Sequence, residues 1–181
     1  MGGPSPEGNG RGTYYGISAV PANVFDGEMR LPGHSYADYM AAYNSRRTVP
    51  SPLKIDFLAR SYDGNKASVK AKITLEENIA EGTVCHVILW EDKVNFNGHL
   101  WRFVERKMPI YDVLTITRKG QSHVVKREFA LDAGWKKADL GVTVIVQRFA
   151  AKTVYNGAAT KLVEGVAVEP ASLGRVKALF N

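Results

Sequence analysis

Several absences in the sequence narrow its possible chemistry. Cys85 is the only cysteine among 181 residues. That excludes an internal disulfide, a C-x-x-C redox pair and a cysteine-based zinc knuckle. Cys85 lies in the apolar run Val84–Trp90, a setting that predicts a buried, inert thiol rather than a nucleophile. No apolar run approaches the ~20 residues needed to span a bilayer as a helix. The histidines, His34, His86, His99 and His123, show neither i, i+4 pairing nor zinc-finger spacing. His86, inside the same apolar run, reads as a satisfied sheet residue. A G-x-S-x-G elbow, a P-loop and a dinucleotide fingerprint are all missing. The expectation is therefore a protein that is not an enzyme and has no metal and no cofactor.

The remaining composition is that of an ordinary globular domain, with 45% hydrophobic and 23% charged residues. The net charge is +6 and the pI about 9.4, which raises nucleic acid as a partner. The cations are dispersed, however, and Lys70 and Lys72 alternate with apolar residues as on the wet face of a strand. Nucleic-acid binding is therefore disfavoured.

Residues 1–12 are Gly/Pro-rich, lack the regions of a signal peptide, and read as a flexible leader. Residues 13–49 form an appendage with an Asp26-Gly27 turn and one helix, about Tyr36 to Arg46. Ser35 and Asp38 form a capping-box-like pair, and Arg46 and Arg47 suit the negative end of the helix dipole. Tyr36, Tyr39, Met40 and Tyr43 recur at i, i+3, i+4 and i+7, a stripe expected to pack on a neighbouring sheet. Val49-Pro50-Ser51-Pro52 breaks the chain.

Residues 50–165 read as strands. Ala67, Val69, Ala71, Ile73 and Leu75 alternate with Lys66, Ser68, Lys70, Lys72 and Thr74, a half-buried antiparallel pattern. Val84–Trp90 is apolar on both faces and suits a central strand. Shorter strands are expected over His99–Met108 and Val113–Thr117, then over Val124–Leu131, Gly141–Phe149 and Thr153–Leu162. About seven strands separated by frequent turns indicate an immunoglobulin-like antiparallel β-sandwich rather than a βαβ fold. Residues 166–181 form a linker and a short amphipathic helix with Leu173, Val176, Leu179 and Phe180 on one face. A helix of that length is marginal alone and needs a surface to dock on.

Two constellations remain. Glu91 and Asp92 are adjacent acids at the end of a buried strand, but neighbouring strand residues point to opposite faces and cannot readily flank one bond. Trp90, Trp101 and Trp135 could form an aromatic strip for a glycan or peptide, or could pack in the core.

The order of pieces resembles a known family. Tyr14–Gly27 is similar to the second half of a thioredoxin-like domain, with Gly16 and Pro21 at the loop that carries a cis-proline there. Pro50-Ser51-Pro52-Leu53-Lys54-Ile55, Val87–Asp92, Asn95–His99, Arg106–Pro109, Phe129–Asp132 with Trp135, and Val144–Gln147 resemble, in order, the β-sandwich of the outer-membrane lipoprotein family named for its twenty-eight-kilodalton member. Here the strand, the C-x-x-C and the helix that open the thioredoxin fold are missing, so no thiol–disulfide role carries over.

The resemblance implies an extracytoplasmic bacterial protein, either secreted, on the cell surface or outer-membrane associated. Its expected function is protein–protein contact, with another protein or with itself, possibly within a larger extracellular assembly. The candidate contact residues are Tyr14, Tyr15, Phe25, Tyr36, Tyr39 and Tyr43 at the front, and Leu173, Val176, Leu179 and Phe180 at the back. The alternative is a glycan- or peptide-binding module that uses Trp90, Trp101 and Trp135.

Overall fold

The computed structural model describes residues 6–19, 22–33 and 35–165. Helix α1 (Pro6–Tyr15) leads into the hairpin β1 (Ala22–Phe25) and β2 (Met29–Pro32), followed by helix α2 (Tyr36–Arg46). The strands β3 (Leu53–Asp63), β4 (Lys66–Leu75) and β5 (Thr83–Glu91) come next. The short strands β6 (Val94–Phe96), β7 (His99–Trp101), β8 (Val104–Lys107) and β9 (Asp112–Val113) follow them. The chain continues through β10 (Ser122–Ala130), β11 (Leu140–Arg148), β12 (Val154–Lys161) and β13 (Val163–Glu164).

Two main sheets face each other. One has the order β10-β4-β3-β13, and the other runs β12-β11-β5-β8, with β9 also pairing to β5. All pairings are antiparallel except β13 with β3, a parallel contact that the turn pattern does not reveal. The alternation read in β4 holds: Ala67, Val69, Ala71, Ile73 and Leu75 are buried in the core. Opposite them lie Cys85, Val87 and Leu89 of β5 and Val142, Val144 and Val146 of β11. Burying side chains of this size contributes about 1.5–3 kcal/mol each, which is why the sandwich rather than either helix holds the fold together.

Several expectations are corrected. The leader is not featureless, because α1 occupies its second half and packs on the sandwich. The His99–Met108 strand is broken: Phe103 takes a left-handed φ of 53° between β7 and β8. Only Val113 of the segment Val113–Thr117 is in a strand. Leu114 and Ile116 still enter the core, anchored by the hydrogen bond from Leu114 N to the Thr83 carbonyl.

The tyrosine stripe of α2 is also not the packed face. Ala42 is the buried residue of that helix, Tyr39 is half-buried, and Tyr36 and Tyr43 are exposed. The capping box on Ser35 and Asp38 is present, so local signals placed the helix correctly but did not fix which face meets the sandwich. Pro21, His34 and the expected C-terminal helix lie outside the described residues.

Candidate functional site

The site is built on the outer face of the β11–β5 sheet. Residues 85, 87 and 89 point inward, so His86, Ile88 and Trp90 point outward, beside Gly141, Thr143, Ile145 and Gln147 of β11. An outer face of this kind normally carries solvated polar side chains. Here α1, the loop around Tyr111 and the segment around Phe149 cover one end of it, and His86 and Gln147 are buried. That cover explains why β5 reads as apolar on both faces.

Arg11 of α1 is the centre of the buried polar network. Its Nη1 donates to Gln147 Oε1 at 3.0 Å and lies 3.2 Å from His86 Nε2, while its Nη2 donates to Tyr15 Oη at 2.8 Å. Gln147 Nε2 donates to the same hydroxyl at 2.8 Å and to the Lys152 carbonyl. A guanidinium can only donate, so His86 Nε2 accepts and the ring proton sits on Nδ1. That Nδ1 has no hydrogen-bond partner among the described residues. Burial, followed by the nearby Arg11 charge, pushes His86 down to about 4, so the ring is neutral at physiological pH.

Aromatic rings close over this network. Tyr14 stacks on Phe149 at 5.1 Å, Phe149 meets Tyr111 at 4.9 Å, and Tyr111 stands edge-on to His86 at 5.5 Å. The appendage is fastened at a second point. Val154 N donates to the Asp26 carbonyl at 2.8 Å, and Arg46 bridges Asp26 at 3.0 Å and Glu28 at 2.9 Å. Gly27 is needed here, because φ is +77° and the Lys152 carbonyl occupies the place of a Cβ.

Between the appendage and the sandwich lies a cleft of about 820 Å³, with Arg11, Tyr15, Tyr43, Arg47, Thr143 and Tyr155 among its walls. Among the described residues, neither histidine nor cysteine lines it. Its walls offer arginines, the carboxylates of Asp26 and Glu77, phenol hydroxyls and amides, a set suited to hydrogen bonding and stacking. Among the described residues, no three His, Cys, Asp or Glu side chains converge as metal ligands, and no helix is long and apolar enough to cross a membrane.

The adjacent acids are each matched with an arginine. Glu91 accepts from Arg106 Nε at 2.9 Å and from Lys136 N at 2.9 Å, and it is buried. Asp92 accepts from both Arg102 Nε and Arg102 Nη2, the latter at 3.0 Å. The Arg102 hydrogen bonds hold the Asp92 carboxyl below its usual range. Each of the two carboxylates thus has its own arginine partner.

The tryptophans are dispersed. Trp90 is 7% exposed, lies against Gly141 and donates from Nε1 to Thr143 Oγ1 at 3.0 Å. Trp135 packs against the core beneath Arg106, and Trp101 is exposed on β7. Of the three, only Trp101 is exposed. Of the front contact candidates, Tyr14, Tyr15, Phe25 and Tyr39 serve internal packing; Phe25 and Tyr39 face each other at 6.3 Å. Tyr36 and Tyr43 remain outside. Leu173, Val176, Leu179 and Phe180 lie outside the described residues. Arg11 and Gln147 were not singled out by sequence, although uncharged outer positions along both β5 and β11 signal a covered face.

Taken together, the fold and site define a mainly β, sandwich-like domain with an N-terminal segment latched to one sheet. No family model matches the sequence, and no curated protein matches it. Among solved structures the chain is similar to HBP35 of Porphyromonas gingivalis, with 15% identity and a TM-score of 0.67. That likeness covers 89% of this chain and 59% of that one, so this chain spans less than two thirds of that protein's length. A domain of the outer membrane lipoprotein Omp28 from Porphyromonas gingivalis is similar at 17% identity and a TM-score of 0.47, covering 64% of this chain and 92% of that domain. Spo0M, a sporulation control protein from Bacillus subtilis, is similar at 10% identity and a TM-score of 0.43, covering 65% of this chain and 51% of that one. The likeness to HBP35 speaks to the fold alone, and the other two are too distant to support an argument.

Proposed function

We propose that this chain is a non-catalytic immunoglobulin-like β-sandwich at the bacterial cell surface that works through protein–protein contact, with a partner or with a second copy. The sheet orders β10-β4-β3 and β12-β11-β5-β8 support the immunoglobulin-like assignment. One observation carries the contact role: Tyr36, Met40 and Tyr43 of α2 face outward. Tyr36 is 77% and Tyr43 49% exposed, with Met40 between them and Val49 just beyond. Large aromatic side chains on a short capped helix are the residue types that anchor interfaces. The cell-surface assignment rests on the ordered motif resemblance alone.

The test is solution mass by light scattering over a range of concentrations, with the variant Tyr36→Ser/Tyr43→Ser as control. A mass above 19.9 kDa that returns to the monomer in the variant supports the reading. A monomer at every concentration, together with no capture by surface fractions of the source cell, refutes it.

The cleft favours a second reading, a glycan- or peptide-binding module. Its wall includes Thr143, which receives the Trp90 hydrogen bond, so a ligand there should shift Trp90 emission. Emission that stays unchanged across a glycan and peptide panel would dispose of that alternative.

A further inference from the structure

We infer that the β6–β7 hairpin is a lipid-inserting finger that docks the sandwich on an anionic membrane surface. This inference does not depend on the contact role given to α2. The hairpin is a tight ribbon. Asn97 and Gly98 take φ of 51° and 77°, the two positive values a type I′ turn requires. The register pairs Val94 with Trp101, Asn95 with Leu100, and Phe96 with His99.

Side chains alternate along each strand, so Val94, Phe96, His99 and Trp101 share one face, while Leu100 lies on the other beside Asn95. Apolar groups are nevertheless exposed on both faces: Phe96 45%, Leu100 64% and Trp101 54%, with Phe103 at 60% just past the ribbon. A second protein presents one surface and covers one face of such a ribbon. A fluid apolar phase surrounds it and wets both.

Charge and length point the same way. From Lys93 to Phe103 there is no Asp or Glu, in a chain of net charge +6. At the base of the finger, Lys93 and Lys161 share the Asp139 carboxylate at 3.9 and 3.7 Å, with side chains 59% and 44% exposed. Shared neutralisation leaves positive charge where headgroup phosphates would lie. Each strand of the hairpin reaches ~10 Å at ~3.3 Å per residue, which matches the ~5–10 Å depth of interfacial insertion. Trp101 sits at the root, the level where indoles concentrate at membrane interfaces.

The experiment is flotation of the full chain with vesicles of phosphatidylglycerol and phosphatidylcholine, compared with phosphatidylcholine alone, alongside tryptophan emission. The expected result is flotation with the anionic vesicles and a blue shift. In Phe96→Ser/Leu100→Ser the partition coefficient should fall ~100-fold, about tenfold for each large apolar side chain withdrawn, with the urea midpoint unchanged. Should that variant fold poorly, Leu100→Glu alters one solvent-exposed side chain and should also abolish flotation. Wild type that stays unbound to anionic vesicles overturns the inference, as does equal flotation of a folded variant. So does lipid-free self-association that the substitutions remove, because a second copy would then be the occupant.

Discussion

Acidification should weaken this fold through His86 in a way that one substitution removes. The ring is 3% exposed, and its pKa falls from an ordinary 6.5 to about 4 on folding. Between those two values the unfolded chain holds a proton that the folded chain does not. Stability conferred by neutral His86 is therefore full above about pH 6.5 and is lost as pH falls towards about 4. Lowering the pH from about 7.5 to about 5 should cost about 2 kcal/mol from this residue alone, on a slope of about 1.4 kcal/mol per pH unit. The cost has a local cause. A protonated Nε2 can no longer accept from Arg11, and two cations would then meet in a site closed by Tyr111 and Phe149.

Carboxylates titrate nearby, so the informative quantity is a difference. Urea unfolding of wild type and His86→Gln would be followed by tryptophan emission at both pH values. Gln keeps an acceptor for Arg11 and does not titrate. Wild type should lose about 2 kcal/mol more than the variant over this interval. Parallel losses in the two proteins would refute the assigned neutral state and the Arg11–His86 contact with it.

Two further outcomes are expected. Gly141→Ala should destabilise by about 1–3 kcal/mol or more in urea unfolding. The added Cβ would meet the Trp90 ring and come within 2.7 Å of the Thr160 carbonyl, and a variant as stable as wild type would contradict the Trp90–Gly141 packing. Cys85 is fully buried and its thiol is pushed up to about 12 by burial. It should therefore react with an aromatic disulfide reagent only after denaturation, and prompt reaction in the native state would contradict that burial.

The balance between sequence and tertiary structure is clearest at particular residues. Strict alternation in β4 needs one buried and one wet face, and that requirement is local, so Ala67 to Leu75 could be assigned from the pattern alone. The Ser35–Asp38 capping box is equally local, and it places the start of α2. The missing cysteine partner, the scattered histidines and the β-sandwich character belong to this kind of information, because each depends on residue type and near spacing.

Other features depended on contacts between distant segments. Arg11 meets residues 75 and 136 positions away in sequence, and no spacing rule connects them. The face of α2 that packs was decided by the fastening of Asp26, Gly27 and Arg46, which left Tyr36 and Tyr43 in solvent and buried Ala42. Strand alternation already set Glu91 and Asp92 on opposite faces, but their separate arginine partners, Arg106 and Arg102, were visible only in space. Periodicity reports which residues prefer to leave water. Which surface receives them, and which polar groups are enclosed there with partners, is set only when the N-terminal segment closes over β5 and β11.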